Sequence, residues 1–228
     1  MTEEVFFLSG NVHVKALFNL PATGVPCVIM SHGMDSTGEG DDYPIVADLL
    51  ADKGIASLRI THPSRTEEDR FPKTGELYGK LLYRIQDINA SVKFLEAKQV
   101  DMLRLGGIGT SFGGMVMLGA HEIKIGARVL IASPYTEMMI RDNEQSQSGK
   151  DQSAEGQKYD IATLVIHGDD DAVVPTQNAY KIFSTLQEPK RLEIISGADH
   201  VFSNNNMRRK VNQLCVDWMT LHLDVDSI

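Results

Sequence analysis

The sequence predicts an α/β domain built on a mostly parallel, twisted sheet of eight strands with helices on both faces. Strand and helix patterns alternate along almost the whole chain, an order typical of parallel sheets covered on both sides. The chain has 228 residues, enough for one sizeable hydrophobic core, and it shows no internal repeat and no strong linker. We therefore expect one domain over residues 1–228.

Each element has its own local signal. A hairpin is predicted at the N-terminus because Ser9-Gly10-Asn11 separates two apolar-rich runs. Gly54 ends the first helix, and apolar residues from Leu81 to Leu95 recur at the spacing of one helix face. The expected strands are Val5–Leu8, Val12–Asn19, Cys27–Ser31, Ile55–Ile60, Leu103–Ile108, Ala127–Ala132, Thr163–His167 and Arg191–Ile195. The expected helices are Tyr43–Lys53, Leu81–Ala97, Phe112–His121, Gln177–Leu186 and Ser203–His222. The polar stretches 61–78 and 136–160 are predicted as loops.

Composition narrows the function classes. The net charge is −9, which disfavours nucleic acid or an acidic membrane surface as a partner, since both bind basic faces. No run approaches the roughly 18 apolar residues of a membrane span, and the acidic N-terminus is unlike a secretory signal, so we expect a cytoplasmic protein. Cys27 and Cys215 are expected to be buried core thiols. No metal-ligand spacing or dinucleotide fingerprint is present, and no cofactor is expected.

The sharpest chemical motif is Gly109-Thr110-Ser111-Phe112-Gly113, a G-x-S-x-G sequence between a predicted strand and a predicted helix. A strand–turn–helix setting is what a nucleophile elbow requires, and glycines on both sides permit a strained turn at the serine. The helix N-terminus behind Ser111 offers unpaired N–H groups to a developing oxyanion. The alternative is a glycine-rich turn that binds an anion or simply packs tightly.

A second motif, Ser31-His32-Gly33-Met34, follows an early strand. A serine hydrolase needs two N–H donors aimed at the oxyanion, one from the residue after the nucleophile and one from such a loop. We therefore expect the backbone N–H groups of Phe112 and Met34 to form the oxyanion hole. Gly33 would allow the loop to approach the nucleophile, and His32 is expected to be structural rather than the catalytic base.

Two further motifs follow the last two strands. His167-Gly168-Asp169-Asp170-Asp171 carries three adjacent aspartates, and chemistry alone does not decide which of them would orient a catalytic histidine. His200, in Gly197-Ala198-Asp199-His200, is placed at the same sheet edge as Ser111 and can act as its base. The order serine, aspartate, histidine is the order of the α/β-hydrolase triad.

With these motifs the chain resembles the α/β-hydrolase superfamily over essentially its whole length, as a small, dienelactone-hydrolase-like esterase. The family pattern G-x-x-D-x-x-V-P matches Gly168, Asp171, Val174 and Pro175, so the resemblance assigns the acid to Asp171. The family's usual aspartate after the fourth strand is replaced in Arg59-Ile60-Thr61-His62-Pro63. The family inserts its cap where this chain has residues 133–162, a length that implies a minimal cap or none.

The expected activity is hydrolysis of small-molecule esters with short-to-medium acyl or aryl groups, through an acyl-Ser111 intermediate. The expected substrate pocket contains His32, Gly33, Tyr135, Met138 and Met139. Thioesterase, acyl-peptidase or amidase activity would use the same triad, as would a perhydrolase. A non-catalytic or slow-turnover ligand receptor is the alternative of another class. The protein is expected to act as a monomer or homodimer.

Overall fold

The computed structural model describes residues 2–64, 76–136 and 161–223. The strands are β1 Thr2–Ser9, β2 Val12–Asn19, β3 Val25–Ser31, β4 Ala56–Thr61, β5 Val100–Thr110, β6 Ala127–Ile131, β7 Ala162–Gly168 and β8 Lys190–Ile195. The helices are α1 Tyr43–Asp52, α2 Glu76–Glu96, α3 Phe112–Gly119, α4 Gln177–Thr185 and α5 Asn205–His222.

The eight strands form one sheet in the order β1-β2-β4-β3-β5-β6-β7-β8. Strand β2 runs antiparallel to both of its neighbours, and every other pair is parallel. The hairpin closes at Ser9↔Val12, where Gly10 has a φ of 61° that glycine adopts without steric cost. The predicted fold class is confirmed.

Apolar residues fill a core on each face of the sheet. Helices α2, α3 and α4 cover one face through buried side chains such as Ile88, Val116 and Ile182. Helices α1 and α5 cover the other, where Leu50 and Met219 are buried. Strands β3, β6 and β7 are buried along almost their whole length, as expected of parallel strands with helices on both sides.

Several element boundaries differ from the sequence prediction by a few residues, and the starts of β5 and α2 are among the largest shifts. Strand β5 begins at Val100 rather than Leu103, and Leu103 is 93% exposed. The pairing with β3 shifts between Val25↔Val100 and Cys27↔Leu105, so the residues between pair irregularly and do not alternate between core and solvent. Helix α2 begins at Glu76 rather than Leu81. Leu77 in its first turn is 55% exposed, and Leu81 is the first apolar residue of the helix that is fully in the core, so the regular apolar spacing starts only there.

The carboxyl ends of the parallel strands meet at one edge of the sheet. The segments that follow β3, β5, β7 and β8 at this edge carry Gly33, Ser111, Asp171 and His200. Most of the proposed cap position 133–162 lies outside the described residues, and the single-domain assignment stays a prediction. Within the described part of the chain, no helix combines the length and hydropathy of a membrane-spanning segment.

Candidate active site

Ser111 occupies the sharp turn between β5 and α3. Its backbone has φ 52° and ψ −119°, a conformation that L-residues rarely adopt. The turn is held because the Ser111 N–H donates to the Ile131 carbonyl at 2.7 Å and the Ser111 carbonyl accepts from the Gly114 N–H at 2.9 Å. The surrounding strands thus stabilise a strained serine and leave its side chain part-exposed at the sheet edge.

Two glycines make this turn possible. A Cβ atom at Gly109 would lie 2.3 Å from the Gly113 carbonyl oxygen, and one at Gly113 would lie 1.8 Å from the Ser31 carbonyl oxygen. Both are contacts with backbone, which cannot move aside as a flexible side chain can. The first and last positions of the G-x-S-x-G motif therefore require glycine on steric grounds alone.

Ser111, His200 and Asp171 lie in hydrogen-bonding contact. His200 Nε2 is 3.1 Å from Ser111 Oγ, and His200 Nδ1 is 2.7 Å from Asp171 Oδ2. Because the carboxylate accepts the Nδ1 proton, Nε2 is left as the acceptor that faces the serine hydroxyl. The histidine side chain is 16% exposed, whereas the aspartate side chain is fully buried.

The three adjacent aspartates have different environments. Asp169 and Asp170 are exposed, whereas Asp171 points inward. Its Oδ1 accepts from the backbone N–H groups of Val173 and Val174, at 2.9 and 2.8 Å. Hydrogen-bond donors therefore hold this carboxylate in place beside His200.

His167 is a contact of this carboxylate that the sequence analysis did not single out. Its Nε2 lies 2.8 Å from the Val174 carbonyl and 3.2 Å from Asp171 Oδ2. Two acceptors at one nitrogen imply that Nε2 carries the proton, which leaves the buried Nδ1 without a described partner. Its place directly before Gly168 in the same motif was the available signal.

The expected oxyanion donors lie on both sides of Ser111. Phe112 is the first residue of α3, and Met34 belongs to the loop after β3. A Cβ atom at Gly33 would lie 3.5 Å from Ser111 Cβ, so this loop passes directly beside the serine. Within residues 2–64, 76–136 and 161–223, the backbone N–H groups of Met34 and Phe112 have no hydrogen-bond acceptor.

His32 is only 1% exposed, and it does not reach the cavity beside Ser111. Its Nδ1 lies 2.7 Å from the Gly33 carbonyl, and its Nε2 accepts from the His62 N–H at 3.1 Å. These contacts place the single ring proton on Nδ1. Burial lowers the pKa of His32 to about 3, and the nearby charges of His62 and Arg84 act in the same direction.

The buried neutral His32 predicts a loss of stability in acid. In the unfolded state the His32 ring takes up a proton near pH 6.5, whereas in the folded state it does so only near pH 3. The free energy of unfolding therefore falls as the pH drops below 6.5. Between pH 7.5 and pH 5, His32 alone lowers the free energy of unfolding by about 2 kcal/mol. Urea unfolding at both pH values measures the loss, and His32→Gln is expected to lose about that much less than the wild type. Equal losses in the two proteins would contradict the assignment.

The remaining expected pocket residues are spread apart. Gly33 lines the cavity beside Ser111. Tyr135 lies outside the described cavity lining, because its N–H donates to Asn178 Oδ1 at 3.0 Å and its ring faces Lys181. Met138 and Met139 lie outside the described residues.

The cavity beside Ser111 and His200 has a volume of about 580 Å³. Its apolar lining includes Val46, Ile108, Ile131, Phe202 and Val211, five buried residues of the core between the sheet and helices α1 and α5. Small-molecule sites typically measure roughly 300–1,000 Å³ and are mostly apolar with a few polar groups. Size and lining are therefore those of a site for a small organic molecule.

Charged groups line the outer part of the same cavity. Asp35, Asp41, Asp42 and Arg208 contribute to it. Asp42 accepts from Asn212 Nδ2 at 3.1 Å and lies 3.6 Å from Arg208 Nε, so its charge is partly compensated. Burial raises the pKa of Asp41, although its hydrogen bond from the Gly33 N–H and the charges of Arg84 and His200 act in the opposite direction.

A second Ser–His–Asp set lies under the loop after β3. His62 Nε2 is 2.9 Å from Ser31 Oγ, and His62 Nδ1 is 3.0 Å from Asp87 Oδ2. The side chains of His62 and Asp87 are 1% exposed, and Ser31 is fully buried. No substrate can reach this serine in the folded protein, so the set is structural.

The two cysteine thiols of the chain lie in the core. Cys27 and Cys215 are both fully buried, and burial raises the pKa of both thiols, that of Cys215 to about 12. Among the residues that the structure describes, no three His, Cys, Asp or Glu side chains are grouped as ligands of a metal ion.

Solved structures of known enzymes share this architecture. A dienelactone hydrolase from Anabaena variabilis ATCC 29413 superposes with a TM-score of 0.72 at 21% identity, covering 97% of this chain and 98% of the other. Est1E from Butyrivibrio proteoclasticus superposes with a TM-score of 0.72 at 18% identity, covering 97% and 99%. These similarities confirm the α/β-hydrolase fold that the sequence motifs predict.

The chain belongs to the prolyl oligopeptidase family. The model of this family matches residues 81–226, more than half of the 228-residue chain and the part that contains Ser111, Asp171 and His200. A putative esterase of Bacillus subtilis (strain 168), YitV, is 28% identical over 213 residues, which cover 77% of this chain and 83% of the relative.

Proposed function

We propose that this protein hydrolyses small carboxylic esters through a covalent acyl-Ser111 intermediate, with His200 as general base and Asp171 as its orienting acid. The observation that carries the proposal is the hydrogen-bonded chain from Ser111 Oγ to His200 Nε2 and from His200 Nδ1 to Asp171, beside a cavity of about 580 Å³. Nucleophile, base and orienting group within hydrogen-bond reach are the arrangement that activates a serine.

In the acylation step, His200 Nε2 takes the proton of Ser111 as Oγ forms a bond to the ester carbonyl carbon. The same proton passes to the leaving alkoxide or phenolate when the ester C–O bond breaks. In deacylation, His200 takes a proton from water as the hydroxide attacks the acyl carbon, and Ser111 leaves with that proton. The buried Asp171 stabilises the imidazolium that forms in both steps.

The tetrahedral intermediate carries a negative oxygen in both steps. We assign its stabilisation to the backbone N–H groups of Met34 and Phe112. Support comes from the absence of any hydrogen-bond acceptor for these two groups in the described part of the chain, and from the close approach of the Gly33 loop to Ser111. One such donor typically contributes on the order of 10²–10³ in kcat.

The apolar lining of the cavity supports substrates with short-to-medium acyl or aryl groups. The names of two similar proteins, the putative esterase YitV and Est1E, support an ester rather than another acyl derivative. Thioesters react by the same steps, so thioester hydrolysis is an alternative activity of the same triad.

A second candidate is cleavage of amide bonds in small acylated peptides. Membership in the prolyl oligopeptidase family favours it, because the family is named for a peptidase. The same triad would serve, with His200 protonating a leaving amine instead of an alkoxide.

The test is hydrolysis of p-nitrophenyl acetate, butyrate and octanoate, compared with acyl-dipeptide p-nitroanilides, together with labelling by a fluorophosphonate. We expect turnover of at least one ester, slower cleavage of the anilides, and a covalent adduct on the peptide that contains Ser111. Faster anilide than ester cleavage would favour the peptidase. Labelling without turnover of any substrate would favour a ligand receptor, and no labelling would overturn the proposal.

A further inference from the structure

Arg84 on α2 contacts both segments that carry the proposed oxyanion donors. Its Nη1 donates to the His32 carbonyl at 2.9 Å and to the Gly33 carbonyl at 3.2 Å. Its Cζ also lies 5.0 Å from the centre of the Phe112 ring, within the range of a cation–π contact. One guanidinium group thus joins the loop after β3 to the first residue of α3.

The His32–Gly33 and Gly33–Met34 peptide groups of this loop are hydrogen-bonded at almost every polar atom. In the first, the His32 carbonyl accepts from Arg84 and the Gly33 N–H donates to Asp41 Oδ2 at 2.8 Å. In the second, the Gly33 carbonyl accepts from Arg84 and lies 2.7 Å from His32 Nδ1. The Met34 N–H is the remaining polar group of these two units, and no described residue accepts from it.

The Gly33 carbonyl and the Met34 N–H belong to the same planar peptide group, so fixing one fixes the direction of the other. A hydrogen bond to a carbonyl also polarises its peptide group and strengthens the N–H as a donor. A cation at the Gly33 carbonyl therefore orients the Met34 N–H and increases its partial positive charge.

Arg84 keeps its charge at neutral pH. Burial lowers the pKa of Arg84 to about 10, while nearby carboxylates, those of Asp87, Asp35 and Asp41 among them, favour the protonated form. Arg84 is not part of the described lining of the cavity beside Ser111, so it acts through the loop and not on the substrate.

We propose that Arg84 is a positioning residue for the oxyanion hole, aligning and polarising the Met34 peptide group while fixing Phe112. This inference rests on the proposed function. It predicts that loss of the guanidinium weakens binding of the tetrahedral transition state and leaves binding of the ground-state ester almost unchanged.

The test compares Arg84→Met, which keeps an unbranched apolar chain but removes the guanidinium group, with Arg84→Lys, which preserves the positive charge. Arg104→Met is the matched control, because Arg104 lies in the first half of β5, away from Ser111, and pairs with Asp101. For Arg84→Met we expect kcat to fall about 10²-fold with KM within about threefold. Affinity for a trifluoromethyl ketone, which forms a tetrahedral adduct with Ser111, should fall by the same factor as kcat/KM. Arg84→Lys should lose about tenfold in kcat/KM and in affinity for the ketone, since lysine lacks the planar group over Phe112.

Wild-type kcat and inhibitor affinity in a folded Arg84→Met would overturn the inference, as would a rise in KM without loss of kcat. If Arg84→Met does not fold, Arg84→Lys carries the test: parallel losses support the inference, and wild-type values overturn it. Fluorophosphonate labelling rates keep the two proposals separate. A wild type that is labelled but hydrolyses no ester overturns the ester assignment alone, with Arg84 then judged on the labelling rates. A wild type that is neither labelled nor active overturns both.

Discussion

Replacing Ser111 with alanine is expected to lower kcat for p-nitrophenyl acetate by on the order of 10⁵–10⁶. The variant lacks the Oγ that lies 3.1 Å from His200 Nε2 and forms the acyl intermediate, so water must attack the ester directly and far more slowly. The oxyanion donors are backbone groups and remain, so a residual rate above the uncatalysed reaction should persist. Steady-state kinetics at high enzyme concentration and fluorophosphonate labelling measure both effects.

Ser31→Ala is the matched control, because Ser31 belongs to the buried second Ser–His–Asp set. We expect it to be labelled at Ser111 as the wild type is and to lose less than about tenfold in kcat, with some loss of stability from the broken hydrogen bond to His62. Full activity in Ser111→Ala would contradict the central assignment. A larger loss in Ser31→Ala than in Ser111→Ala would exchange the roles of the two sets.

The elements and the elbow could be predicted because their signals are local. Ser111 lies between two glycines at a strand end, and the clashes that an added Cβ would make at 109 and 113 explain why those positions carry no side chain. Fold class follows from alternation of strand and helix, which also depends only on neighbouring residues. The strand order and the irregular start of β5 depend on pairing between distant segments, and no local pattern reveals it.

The environment of each candidate side chain could not be predicted in the same way. The sequence places His32 among the expected pocket residues, yet the structure buries it between the Gly33 carbonyl and the His62 N–H. Arg84 reaches carbonyls more than 50 positions away, and a helical pattern gives no sign of such a contact. Burial is a property of the assembled fold, so sequence patterns select candidate residues and three-dimensional packing determines their roles.

Among the three adjacent aspartates, only a change at Asp171 is expected to have a large effect on kcat. Asp171→Asn is expected to lower kcat by about 10⁴ while the protein stays folded. Four donors face the carboxylate: the N–H groups of Val173 and Val174 at Oδ1, and the rings of His167 and His200 at Oδ2. An asparagine satisfies the two backbone donors only by turning its NH₂ group toward His200. The His200 ring must then accept at Nδ1 and carry its proton on Nε2, where it cannot take the proton of Ser111.

Asp170→Asn is the control for this prediction, because Asp170 is an exposed neighbour in the same run of aspartates. Its kcat should stay within about twofold of the wild type, since surface changes away from a site have small effects. Thermal unfolding of both variants separates a loss of activity from a loss of structure. If Asp170→Asn or Asp169→Asn were the inactive variant, the orienting acid would be that residue, and the buried carboxylate of Asp171 would serve only to hold the loop after β7.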